Sequence, residues 1–185
     1  KHFNNCDILV GNLPGIAARC SDLGWKKPVI TISNFSRKVE LIEGISSGSM
    51  HISLAYAEAA KSYEYLAPST NLSDENKLNG TKSLVLNGRN ASKLIVSCIK
   101  KNEFHLVLVD PSAEGVSFNS FKTIDEQTCA EFTFENVNLD DEDVIASGEE
   151  ASNLLVEVLN LATLCVSAEA VGCMLSCYQK TVQYT

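Results

Sequence analysis

The chain has 185 residues, enough for one domain of ordinary size with a real core. Apolar residues make up 45% and charged residues 21%, which excludes a disordered chain, and 10 Gly and 4 Pro exclude collagen-like and low-complexity classes. A formal net charge of −8 argues against nucleic acid as a partner, and the basic residues Arg89, Lys93, Lys100 and Lys101 are scattered rather than gathered into a stripe.

Residues 1–48 are mixed in pattern, with Ser33-Asn34 as a turn signal. Residues 35–45 then read as a short amphipathic helix with Val39, Leu41, Ile42 and Ile45 on its apolar side, ended by Ser46-Ser47-Gly48. From 51 to 146 short apolar runs alternate with turn signals. The runs are 51–56, 82–86, 93–99, 104–109, 116–118, 131–134 and 137–139, and Asn87-Gly88 and Asp110-Pro111 stand among the turns. Residues 92–100 and 103–110, joined by a short polar connector, read as a β-hairpin, and 131–134 alternates in the manner of a strand with one wet face. Such a series predicts an antiparallel sandwich or barrel.

At 148 the period becomes helical. Leu154, Leu155, Val158, Leu161, Cys165, Ala168, Val171, Leu175, Tyr178 and Val182 recur at three- and four-residue steps, one helix of about ten turns or two pieces broken near Gly172. Ser147 and Glu150 have capping-box spacing. A broad, Ala-rich stripe on one helix needs other helices to cover it. A helical bundle is therefore expected from another chain or from a part of the protein beyond this one.

The seven Cys form no CxxC, and Cys98, Cys129, Cys165 and Cys173 sit among apolar neighbours, so they read as small buried hydrophobes. Four Asn-x-Ser/Thr triplets (Asn34, Asn71, Asn79, Asn90) are weak evidence in a chain rich in those residues. No leader-like start and no unbroken apolar run of membrane-spanning length is present, which predicts a soluble, cytoplasmic protein without a membrane contact. His2, His51 and His105 lack a second ligand at metal spacing, and no metal site is expected. The run Asp140-Asp141-Glu142-Asp143 lacks the glycine and ligand spacing of a calcium loop and reads as a solvated linker. Gly11-Asn12-Leu13-Pro14-Gly15 is no phosphate loop, and none of the common nucleophile or nucleotide motifs occurs.

One ordered set of segments does carry a signal. Leu41-Ile42-Glu43-Gly44-Ile45-Ser46-Ser47-Gly48 is followed by Ile52-Ser53-Leu54-Ala55-Tyr56-Ala57-Glu58. Leu78-Asn79-Gly80-Thr81-Lys82-Ser83-Leu84-Val85-Leu86-Asn87-Gly88 comes next, then residues 91–98, 110–116 and 123–137, and finally Ala168-Glu169-Ala170-Val171-Gly172. In this order the segments resemble the acyl-CoA dehydrogenase family, and they look most like the branch of pimeloyl-CoA dehydrogenase small subunits. The resemblance implies an α+β fold in three parts: the end of an N-terminal helical domain (1–48), a middle β-domain (51–146), and the truncated start of a C-terminal helical domain (148–185).

It also implies an enzyme that removes a proton and a hydride from an acyl-CoA thioester and passes the hydride to FAD, working as a homo- or hetero-oligomer through its C-terminal helix. The flavin would lie against Tyr56, Ala57, Leu84 and Leu86, and the thioester near Ser62 and Tyr63. Ala57 and Leu86 stand where the family usually has hydroxyl residues, and Leu84 where it usually has an aromatic. No catalytic residue is assigned, since the family's base lies in the helical bundle, and Glu58 and Lys82 read as structural. The alternative implied by the missing hydroxyls is a partner subunit without flavin and without catalysis.

Overall fold

In a computed structural model, residues 35–61 and 64–184 are described, with the side chains of 35–38 left aside. The turn signal at Ser33-Asn34 and everything before it lie outside the described residues. Helix α1 spans Phe35–Ser47 and ends at Gly48, whose φ of 74° stops the helical ladder. Leu41 and Ile42 are its buried face, as their spacing predicts.

Eight strands follow: β1 Ile52–Ala55, β2 Asn71–Leu72, β3 Lys77–Leu86, β4 Lys93–Lys100, β5 Glu103–Val109, β6 Val116–Lys122, β7 Thr128–Asn138 and β8 Val144–Ser147. Their order is β6-β7-β3-β2-β4-β5-β8, with β1 added on β4. The expected hairpin is β4–β5, paired from Leu94↔Val109 to Lys100↔Glu103. Lys101 and Asn102 at its tip both have positive φ, the geometry that matches the strand twist in a two-residue turn. Most pairings are antiparallel, but β1 and β2 both run parallel to β4, which the alternating pattern did not foretell. Two further differences concern extent: β7 is continuous where two runs were read, and β2 and β8 were too short to be seen.

Two core layers result. One lies between the sheet halves and holds Leu78, Val85, Leu94, Val96, Val107, Val109, Ala130, Phe132 and Phe134. The other lies on the far side of β4 and β5, where Ile95, Phe104, Leu106 and Leu108 meet Leu41 and Ile42 of α1 and Leu154, Leu155, Val158 and Leu161 of the last helix. Each such buried aliphatic side chain is worth about 1.5–3 kcal/mol over leaving it in water.

That last helix, α2, is one unbroken piece, Gly148–Gln183. Ser147 precedes it but makes no side-chain cap. It is held extended as part of β8, opposite His105, and Gly148 turns the chain with a φ of 61°. Capping-box geometry appears instead in the acidic run, where Asp140 and Asp143 close a short 3-10 turn. Beyond Leu161, α2 leaves the sheet. The positions that continue its sheet-facing stripe become small or polar (Cys165, Glu169, Gly172, Ser176, Gln179). Leu164, Val171, Leu175, Tyr178 and Val182 are exposed on a side turned by roughly a third of a turn.

Cys98 and Cys129 are buried as expected, but Cys165 is half-buried and Cys173 exposed, and among the described residues the two core layers end at Leu161 on this helix. By length and composition α2 could cross a membrane, with a mean hydropathy of 1.8 over its most apolar stretch. Core helices of soluble bundles share those properties, and its first turns are packed on the sheet.

Candidate functional site

Strand β3 inverts the usual pattern. Lys82 points between the sheet halves and is completely buried, while Leu84 and Leu86 are 55% and 49% exposed. The inversion begins at a β-bulge: the β3–β7 register shifts between Lys82 and Val85, so Ser83 and Leu84 together face one residue of β7. Leu84 sits there with a φ of 54°, a left-handed conformation that costs a bulky residue on the order of 1–3 kcal/mol. Strain of that size, used to hold an apolar side chain in solvent, gains nothing for the core.

The register defines this surface. Leu86 pairs with Cys129, and Cys129 with Phe121, so the three share the face opposite to Ala130, Phe132 and Phe134. Phe121 is 38% exposed, and Cys129 is buried between it and Leu86. Glu131 and Asn119 form the next row of the same face, facing the bulge. The result is a half-exposed aliphatic and aromatic platform with one carboxylate beside it.

Beneath the bulge lies a buried polar cluster. Lys82 Nζ donates to Glu58 Oε1 at 2.8 Å and to Ser97 Oγ at 2.9 Å. The Glu58 carboxylate also accepts from the Ser69 amide at 2.7 Å, the Thr70 amide at 3.1 Å and Thr70 Oγ1 at 2.7 Å. Burial works against ionisation of Glu58. The hydrogen bonds from Lys82, Thr70 and Ser69, with the lysine's charge, more than offset it and hold the carboxyl down to about 2. Burial lowers the Lys82 pKa from its ordinary value, with Glu58 opposing. The ion pair fills a gap in the sheet. β4 is paired with β1 up to Val96 and with β2 only from Ile99, which leaves Ser97 and Cys98 opposite no strand on that edge. Burial pushes the Cys98 thiol up to about 12, so it is an unreactive filler.

Glu58 and Lys82 are thus structural, as their sequence context suggests. The lysine is a core residue, and burial depresses its pKa although nothing near it in sequence would do so.

Among the expected cofactor residues, Ala57, Leu84 and Leu86 come together. The Ala57 carbonyl accepts the Ser83 amide at 2.9 Å, one residue from Leu84. Tyr56 turns the other way and packs toward the layer under α2, edge-on to Tyr65 with ring centroids 6.4 Å apart. Burial, and then Tyr65, raises its pKa. Ser62 and Tyr63, the expected thioester residues, lie outside the described residues. Ser53, Phe121 and Glu131 were not foreseen. For Ser53 and Glu131 only the alternation of their strands could have pointed to them. His51 pairs with Asn87 at 3.0 Å, and the His105 ring is 3.0 Å from the Glu103 carbonyl. Among the described residues no three of His, Cys, Asp or Glu converge as metal ligands.

Solved structures share this architecture. A glutaryl-coenzyme A dehydrogenase in complex with glutaryl-CoA superposes over 75% of this chain and 38% of its own, with a TM-score of 0.69 and 18% identity. The fold is acyl-CoA dehydrogenase-like. The dehydrogenase-like architecture extends to the glutaryl-CoA dehydrogenase of Mycobacterium smegmatis in complex with FADH2 (TM-score 0.63, 21% identity, 70% of this chain, 35% of that one). It also extends to the ChsE4–ChsE5 complex from Mycobacterium tuberculosis (TM-score 0.61, 18% identity, 69% of this chain, 36% of that one). The chain therefore spans little more than a third of the length of these proteins.

No protein-family model matches the chain. A stretch of 36 residues, 20% of the chain, is 57% identical to the lipopolysaccharide core biosynthesis glycosyltransferase LpsE of Rhizobium meliloti strain 1021 and covers 11% of that protein. That is too short for a folding unit of its own.

Proposed function

We propose that the chain is part of an acyl-CoA dehydrogenase-like flavoprotein that introduces an α,β double bond into an acyl-CoA thioester. The observation that carries this reading is the strained, outward Leu84 on an exposed apolar platform of a dehydrogenase-like β-sheet. Leu84, Leu86 and Phe121 suit one face of a planar ring system and exclude water from it. In this reading FAD is held there, and when bound it supplies the acceptor for the hydride that leaves the β-carbon. Ala57, Leu84 and Leu86 offer no side-chain donor or acceptor, so polar contacts to the ring edge fall to backbone groups. The α-proton needs a carboxylate, and Glu58 is unsuited: it is buried and saturated by Lys82, Thr70 and Ser69. In the same reading 1–48, 51–146 and 148–185 are parts of three domains of a soluble, cytoplasmic assembly. The exposed apolar side of α2 beyond Leu161 packs on further helices of a homo- or hetero-oligomer.

The missing ring-edge hydroxyls favour a second reading, a flavin-free subunit that serves a catalytic partner. Titration of FAD into the purified chain, read by quenching of flavin fluorescence, separates the two. The first reading expects saturable binding, and no binding leaves the second. Under either, the chain alone is expected to reduce no dye with short, long or dicarboxylyl-CoA thioesters above the free-flavin background, since positioning groups and a general base each carry orders of magnitude in rate. Turnover would refute that expectation and place a base within this chain, Glu131 being the carboxylate on the platform face.

A further inference from the structure

β1 and β3 share no ladder pairing, yet three bonds tie β1 and the residues just after it to β3 around the platform. Ser53, completely buried in β1, donates from Oγ to the Leu86 carbonyl at 2.9 Å. The Ala57 carbonyl accepts the Ser83 amide at 2.9 Å. Glu58, the next residue, meets Lys82, the residue before Ser83, at 2.8 Å. The three bonds bracket the stretch 83–86, where the β3–β7 ladder loses its register and Leu84 takes its left-handed turn. Glu58 is itself fixed by the Ser69 and Thr70 amides. That segment can come so close only because residue 80 is glycine: a Cβ there would lie 2.7 Å from Thr70 Cα.

We infer that Ser53, Glu58 and Lys82 are positioning residues, a buried clamp that sets the outward pose of Leu84 and Leu86 for a planar ligand. The geometry also says why a charged pair is used here. Apolar packing would fill the gap opposite Ser97 and Cys98, but only directional bonds hold a bulge in a strained pose. The ligand half of this inference rests on the flavin reading. The clamp half does not.

The test uses the full chain carrying Glu58→Gln with Lys82→Met, which removes both charges and keeps an acceptor for the Ser69 and Thr70 amides. Amide hydrogen exchange by NMR is followed at Ser83 and, as the internal control, at the ladder residues Ala130 and Phe132, alongside FAD titration. A clamp predicts a protein that still unfolds cooperatively, exchange at Ser83 at least about 10-fold faster than in the parent with the ladder amides unchanged, and FAD affinity at least about 10-fold weaker, on the scale of one tenfold step per lost interaction. Unchanged Ser83 exchange overturns the clamp. Faster exchange at Ser83, Ala130 and Phe132 alike also overturns it, because the pair then only stabilises the fold. Faster exchange at Ser83 in a protein whose parent binds no FAD keeps the clamp and overturns the flavin reading. Should the double variant not fold, Ser53→Ala carries the same test, with a several-fold effect expected at the same amide.

Discussion

The two faces of β3 follow opposite rules. Inside, a lysine is sealed from water on the face it shares with Phe132, Val85 and Leu78; outside, two leucines and, beyond β7, a phenylalanine of β6 stand half in solvent. A burial rule based on residue type alone would exchange them. The inner face tolerates its charge because every strong acceptor and donor around it is engaged: one carboxylate, two backbone amides and two hydroxyls close the network. The outer face has no such compensation and carries backbone strain besides. The difference teaches that satisfied polarity inside is explained by the fold, whereas apolarity held outside at a cost is not explained by packing.

The sharpest way to break the inner face is to remove half of it. Lys82→Met leaves a buried carboxylate without its cation and should cost about 3–5 kcal/mol in denaturant unfolding, a large share of an ordinary domain's stability. Adding Glu58→Gln to that variant should recover more than half of the loss, because the uncompensated charge is gone. A double variant no better than the single one would mean that the pair acts through its hydrogen bonds alone.

Acid probes the same pair without mutation. The folded-state pKa of Glu58 is held below its ordinary value of 4.5, to about 2, so the unfolded chain takes up this proton first as pH falls. The contribution of Glu58 is complete above about 4.5 and is lost as pH drops through that window toward 2, on the order of a few kcal/mol. Lys82 stays protonated in both states over this range, so it does not change the sign. In Glu58→Gln the acid-induced loss of stability between pH 4.5 and 2 should be visibly shallower than in the parent.

Gly80 sharpens the comparison from the side of the backbone. Its φ of 143° and the nearness of Thr70 leave no room for a side chain, and the obstacle is main chain that also donates to Glu58. Gly80→Ala should cost about 1–3 kcal/mol and lower the acid resistance at the same time, since it pushes Thr70 off the carboxylate. A loss of stability with an unchanged acid profile would show that the 69–70 segment can shift without disturbing Glu58.

Much of the outer architecture was legible in the sequence, for reasons that name themselves. The 131–134 alternation, the polar connector after β4 and the change of period at 148 are local signals, and the strands, the hairpin and α2 follow them. The order of the resembling segments placed Ala57, Leu84 and Leu86, and the structure brings these three near one another. What was hidden is non-local. Nothing near Lys82 in sequence reveals that Glu58, 24 residues before it, is waiting in the core. Two-residue β2 has no period to detect, and its parallel place beside β4 depends on where the chain returns after Glu58. Leucine carries no signature of a positive φ, so the bulge at Leu84 could not be read from residue type.

The smallest expected effect is also the one that separates use from fold most cleanly. At Leu84, glycine adopts the left-handed conformation without the penalty that a Cβ brings, so Leu84→Gly relieves strain. Against this stand the extra freedom of glycine in the unfolded chain and the loss of apolar contact by a side chain already 55% exposed. These terms nearly cancel, and the melting temperature should move by no more than the equivalent of about 1 kcal/mol, in either direction. If Leu84 were an ordinary strand residue, nothing else would change. If it is held outward to meet a planar ligand, FAD affinity should fall about 10-fold or more while stability stays level, since the variant removes the central apolar contact of the platform. Stability and affinity falling together would instead tie Leu84 to the fold and move the binding face elsewhere.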